Sequence, residues 1–129
     1  MILNLSIAVP IKDLINSNSR EHRHVVAQKR SLLRRFAREA TAGLPAVATP
    51  ARGVVVFVWP DKARRDPDNY ELKWLWDGIV DSGILPDDNG NQLRATVRFA
   101  APFRHDLGRG IVVLGIKVEP ISSDAWEDI

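Results

Sequence analysis

Between Gly53 and Trp59 the chain is almost continuously apolar and β-branched (Val54, Val55, Val56, Phe57, Val58, Trp59), and Pro60 closes the run. That length and composition predict a central strand buried on both faces. The chain is thereby committed to a sheet in which this strand is flanked by others.

The remaining elements follow from periodicity. Leu3, Leu5, Ile7 and Val9 alternate with Asn4, Ser6 and Ala8, which predicts a strand with one buried face, ended by Pro10. Asn16, Ser17, Asn18 and Ser19 read as loop. From about His24 to Ala42 the period becomes helical, with Val26, Leu33, Phe36, Ala37 and Ala40 as the apolar stripe and Gly43 and Pro45 as the stop. Asp66-Pro67 predicts a second helix, with Asp as N-cap and Pro at the first helical position. Its buried face is Leu72, Leu75, Trp76 and Ile79, reaching about Ser82, and Gly83 closes it. Gln92 to Ala100 alternates, with Leu93, Ala95, Val97 and Phe99 inward. Residues 101–109 read as loop and Ile111 to Val118 as a last strand, followed by an acidic tail, about 121–129, expected to be poorly ordered. The order is β-α-β-α-β-β: an α+β fold, a small mixed sheet with two helices, in a single domain spanning 1–129. No internal repeat is present.

Composition limits the function classes. Hydrophobic residues make up 45% of the 129, enough for a packed core and too many for a disordered chain. There are no cysteines, so disulfides and thiolate metal sites are excluded. No apolar run approaches the roughly 20 residues of a membrane helix, and Met1-Ile2-Leu3-Asn4-Leu5 lacks the basic start of a signal peptide. The expected location is the cytoplasm. Net charge is only +2, but the arginines cluster. Arg30, Arg34 and Arg38 recur every four residues beside Lys29 and Arg35, and Arg64 and Arg65 form a second patch. Such patches attract polyanions even when net charge is small.

The chemistry concentrates around the second predicted helix. Asp66 and Asp68 stand two residues apart after the apolar strand, and Asp87-Asp88 follow at the far end of the helix. Lys73 lies seven residues after Asp66 and four before Asp77. Hard cations such as Mg²⁺ take oxygen ligands, usually one or two carboxylates plus phosphate and water. The preceding arginines suit a phosphate-bearing substrate. Each feature also has a plainer reading. Asp66 can simply cap a helix, Asp87 and Asp88 can belong to the Asn89-Gly90 turn, Lys73 can pair with Asp77 on the surface, and the arginine stripe can be a solvated face. Trp59, Trp74 and Trp76 read as core, and the scattered His22, His24 and His105 suggest no catalytic histidine.

The run Arg64-Arg65-Asp66-Pro67-Asp68-Asn69, then Lys73, Asp77-Gly78 and Gly83-Ile84-Leu85-Pro86-Asp87-Asp88, resembles the RusA-type Holliday-junction resolvases, small endonucleases common in phages and prophages. The likeness covers about 25 contiguous residues. It implies a RusA-like fold and a homodimer that binds four-way DNA junctions during recombination and repair. It further implies Mg²⁺-dependent nicking of two opposed strands, with Mn²⁺ as a substitute and no nucleotide cofactor. A phage-encoded member works in the host cytoplasm. Carried over by motif, Asp66, Asp68 and Asp88 match the catalytic, metal-holding aspartates, with Asp87 beside them, and Lys73 matches the catalytic lysine. One departure stands out: the family lysine usually falls three residues after the Asn, and here Leu72 takes that place. On a continuous helix the shift rotates Lys73 by about 100°, which a one-residue bulge within 69–72 would correct.

The expected function is therefore hydrolysis of DNA phosphodiesters. Asp66, Asp68, Asp87 and Asp88 serve the metal, Lys73 faces the phosphate, and Arg64, Arg65, Lys29, Arg30, Arg34 and Arg38 hold the DNA backbone. The first alternative is a protein that binds branched DNA without cutting it. The second, another Asp-x-Asp Mg²⁺ enzyme such as a phosphatase or nucleotide-sugar transferase, generally needs a larger α/β domain.

Overall fold

The computed structural model of the chain describes residues 2–18, 20–66, 69–100 and 108–122. Strands β1 (Leu3–Pro10), β2 (Ala51–Val58), β3 (Leu93–Phe99) and β4 (Ile111–Pro120) form one sheet in the order β1-β4-β2-β3. Helix α1 (Arg23–Thr41) lies between β1 and β2 in sequence, and α2 (Lys73–Asp81) between β2 and β3. The expected element order and the mixed α+β sheet are both present. The mixture has a simple cause. β1–β4 and β2–β4 are antiparallel, whereas β2–β3 is parallel, and parallel neighbours need a crossover, which α2 supplies.

Both helices pack on one face of the sheet. Val9, Val55, Phe57, Val112, Leu114 and Val118 are fully buried there, together with Leu33 and Ala37 of α1 and Leu75 and Ile79 of α2. Two glycines set the spacing. A Cβ on Gly53 would stand 2.6 Å from the Trp76 ring, so α2 lays its indole directly over β2. A Cβ on Gly78 would meet the backbone of α1, so the two helices touch almost main chain to main chain.

Three expectations are corrected. β2 is interior to the sheet, but only alternate residues are buried; Val54, Val56 and Val58 are half-exposed, because no layer among the described residues covers the far face. That face carries an open hollow of 660 Å³ lined by Val54, Val56, Gly115, Thr96, Arg98 and Lys117, among others. On β3 only Leu93 is buried; Ala95 and Val97 are exposed and Phe99 half-buried, since β3 is an edge strand beyond the reach of the short α2.

The third correction concerns the start of α2, which begins at Lys73 with Leu72 as N-cap, and not at Asp66-Pro67. Tertiary pairing overrides the local capping signal. Asn69 N–H closes a turn onto Asp66 O at 3.1 Å, and the chain then runs extended beside residues 15–17. Ser17 N–H donates to Asn69 O at 2.7 Å, Glu71 N–H donates to Ile15 O at 2.9 Å, and Asn16 and Tyr70 form a bridge. Tyr70 thereby joins an aromatic cluster, 5.7 Å from Phe57 and 5.3 Å from Trp59. A helix through Tyr70 would forfeit those contacts and take the Glu71 amide from the Ile15 carbonyl. The other helix ends match the sequence. Gly83 adopts φ 87° just past α2, with its N–H on Val80 O and that of Ile84 on Ile79 O. α1 starts at Arg23 on an unexpected cap, His22 Nδ1, which accepts from His24 N–H at 3.1 Å. β4 runs two residues beyond Val118, and Ile121 N–H still bonds Pro50 O. The rest of the expected tail, 123–129, lies outside the described residues, as do 101–107 of the expected loop.

Candidate active site

Pro60 ends β2 and turns the chain into the segment 61–66. Arg65 fixes that segment from within. Its guanidinium stacks over the Trp59 ring at 4.1 Å and donates from Nη1 to Asp61 Oδ1 at 2.7 Å, with only 12% of the side chain exposed. The guanidinium also holds the Asp61 carboxyl below its usual pKa. With Arg65 turned inward, Arg64 and Asp66 are left exposed beside it. Together with Asn16, Asn69 and Tyr70 they line a hollow of 540 Å³. Pro67 and Asp68 lie outside the described residues, so the expected metal role of Asp68 has no geometry to report.

Lys73 and Asp88 meet. The connection from α2 to β3 folds back along the helix, and Lys73 Nζ donates to Asp88 Oδ2 at 2.6 Å across 15 residues of sequence. The same ammonium lies 3.0 Å from Asp77 Oδ1, one helical turn on. These two carboxylates, Asp88 first, raise the Lys73 pKa. The extra residue that separates Asn69 from Lys73 sits in non-helical chain, so the rotation expected of a continuous helix does not arise.

Asp87 behaves differently from its neighbour. Its Oδ2 accepts from Asn89 Nδ2 at 2.9 Å and its Oδ1 from the Asp88 N–H at 2.7 Å, which lowers its pKa. Asn89 in turn accepts from the Asn91 and Gln92 amides. Asp87 thus builds the turn, while the half-buried Asp88 points to Lys73.

The basic stripe of α1 is engaged internally. Arg30 grips Glu71 through Nε and Nη2, at 2.9 and 2.6 Å. Arg34 grips Asp81 in the same two-pronged way, at 2.6 and 2.7 Å, and reaches Asp77 at 3.9 Å. The Arg34 pKa is pushed up and that of Asp81 down, each mainly through their hydrogen bonds. Lys29 bonds Glu21 at 2.6 Å and Leu14 O at 3.3 Å. Arg38 remains exposed, beside Asp81 electrostatically, in a shallow basic hollow with Arg34 and Arg35. Lys29, Arg30 and Arg34 are thus held by internal acids, Arg34 across to α2 and Arg30 to Glu71 just before it. The available signal was the recurrence of Asp77 and Asp81 four residues apart on one face of α2, where both meet Arg34.

The chain matches no known protein-family model, and no curated protein matches it. Among the described residues, no group of three or more histidine, aspartate or glutamate side chains gathers to hold a metal ion. Nor is any helix among them long and apolar enough to cross a membrane. What the arrangement brings together is an exposed carboxylate, Asp66, on an arginine-braced loop, and an ammonium–carboxylate pair, Lys73–Asp88, at the start of α2.

Proposed function

We propose that this protein is a Mg²⁺-dependent, structure-specific endodeoxyribonuclease of the RusA type, which resolves four-way DNA junctions by paired nicks on opposed strands. The observation that carries this reading is the meeting of Lys73 with Asp88, two residues far apart in sequence that the motif resemblance assigns to catalysis, while Asp87 is left to the turn. The donor chemistry fits a hard cation: Asp66 and Asp88 offer carboxylate oxygens, Asp68 adds a third by motif, and Mg²⁺ needs no more than one or two besides phosphate and water. Bound there, the ion supplies Lewis-acid stabilisation of charge on the reacting phosphate.

The chain's own residues do the rest. Lys73 presents a fixed positive charge to the phosphate, and Arg64 binds the neighbouring backbone. A homodimer matches its two-fold axis to that of the junction and sets two sites on opposed strands. Cleavage of a synthetic four-way junction with Mg²⁺, beside Asp68→Asn, Asp88→Asn and an EDTA control, tests the reading. Paired nicks lost in all three controls are expected; intact junctions under Mg²⁺ and Mn²⁺ would overturn it.

One observation favours a second reading, a branched-DNA binding protein without nuclease activity: Lys73 already occupies an oxygen of Asp88. Tight junction binding without any nicks would select it.

A further inference from the structure

Asp77 belongs to none of the roles assigned above, yet it sits where it can govern Lys73. An exposed lysine–carboxylate pair one helical turn apart ordinarily fixes little, because both side chains remain mobile. Here the carboxylate is itself held. Asp77 is half-buried, with 28% of its side chain exposed, in a groove of 460 Å³ between α1 and the first turn of α2. Its Oδ2 lies 3.9 Å from Arg34 Nη1, and Arg34 is locked by its two-pronged bond to Asp81. The adjacent Gly78 lets α1 approach closely enough for this to happen. The chain of charges runs Asp81, Arg34, Asp77, Lys73, Asp88, alternating in sign at each step.

Lys73 is the first residue of α2 and 62% of its side chain is exposed, and its ionic partners among the described residues are Asp77 and Asp88. An ammonium has three N–H donors. Among the described residues Asp77 and Asp88 engage two, which leaves the third for a ligand oxygen.

We propose that Asp77 is a positioning residue that holds the Lys73 ammonium against the Arg34–Asp81 pair, so that Lys73 stays aimed at the substrate phosphate when Asp88 turns to other partners. The functional half of this statement rests on the nuclease reading; the structural half does not. Lys73 touches substrate, and Asp77 acts only through Lys73.

The experiment uses the full chain and compares wild type with Asp77→Asn, Asp77→Glu and Arg34→Gln. The first readout is the ¹⁵N ammonium resonance of Lys73, assigned with Lys73→Arg, with Lys29 as an internal reference held by its own two partners. The resonance should be sharp in wild type, broadened by solvent exchange in Asp77→Asn and Arg34→Gln, and partly restored in Asp77→Glu. The second readout is nicking at saturating junction, which should fall about tenfold or more in Asp77→Asn, since small misplacements carry penalties of that order. Junction affinity should change less than about twofold, because the arginine contacts to the DNA backbone are untouched. A Lys73 resonance that is broad in wild type, or unchanged in Asp77→Asn, overturns the proposal whether or not the protein cuts DNA. A lost resonance with full nicking overturns the link to catalysis. Absence of nicking by wild type would refute the nuclease reading, and the resonance would still decide the role of Asp77.

Discussion

Gly78 on α2 faces Arg34 on α1 so closely that a Cβ at position 78 would stand 2.5 Å from the Arg34 carbonyl oxygen and 2.9 Å from the Arg38 amide nitrogen. Backbone atoms in the middle of a helix cannot step aside as a flexible side chain can. Gly78→Ala should therefore push the helices apart and lower stability by about 1–3 kcal/mol, the usual range for overpacking. Urea denaturation would show it as a lower midpoint with little change in slope. A midpoint at or above that of wild type would mean that the helices do not lie this close.

Gly53 makes the corresponding contact with the sheet. A methyl group there would meet Trp76 Cη2 at 2.6 Å. An indole wedged between α2 and β2 has few rotamers to escape into, so Gly53→Ala should cost about 1–3 kcal/mol as well. It should also shift tryptophan emission, which Gly78→Ala should leave nearly unchanged. Equal emission spectra for Gly53→Ala and wild type would argue against Trp76 lying over this residue.

Acid should loosen the helix pair. Arg34 holds the Asp81 carboxyl below its ordinary range. A carboxyl with a depressed folded-state pKa adds stability above its unfolded value, about pH 4, and loses it as pH falls through the folded value. Asp81→Asn should thus weaken the protein at neutral pH and flatten the fall in stability below about pH 4. Thermal melts of both proteins across that window give the test, and parallel curves would rule out this linkage.

If the protein binds junction DNA as proposed, its arginines should not contribute equally. Arg64 is exposed, whereas Arg30 is tied to Glu71 at both ends of its guanidinium. Arg64→Ala should lower the slope of log affinity against log salt by about one unit, the signature of one lost phosphate contact. Arg30→Ala should change the slope far less. The reverse order would place the DNA on α1.

Where the sequence was legible, local physics decided the outcome. The alternation of Leu3 to Val9 sufficed to locate β1, because each inward residue has a buried counterpart on β4. Gly83 predicted the end of α2 because few other residues accept φ 87°. The failures arose where distant partners intervened. Asp66-Pro67 carries a true helix-start signal, but the pairing of Tyr70 with Asn16 takes the chain elsewhere. Arg30 and Arg34 looked available because α1 itself holds a single acid, Glu39; their partners lie 41 and 47 residues away. Within the site, Lys73 and Asp88 were both named from the motif and meet at 2.6 Å, whereas nothing in the spacing separated Asp87 from Asp88 as the turn builder or marked Arg65 as a brace.

The crossover has a consequence for how such a protein can vary. Asp66, Lys73, Asp77 and Asp88 all lie between the end of β2 and the start of β3, within one strand–helix–strand unit. β1 pairs with β4 along its whole length, and within the sheet the two are joined to that unit through the β2 edge of β4. Chemistry and scaffolding are thus drawn from separate stretches of the chain. Drift in the β1–β4 pair would be felt as gain or loss of stability, while the reacting groups are inherited together, as one short cassette.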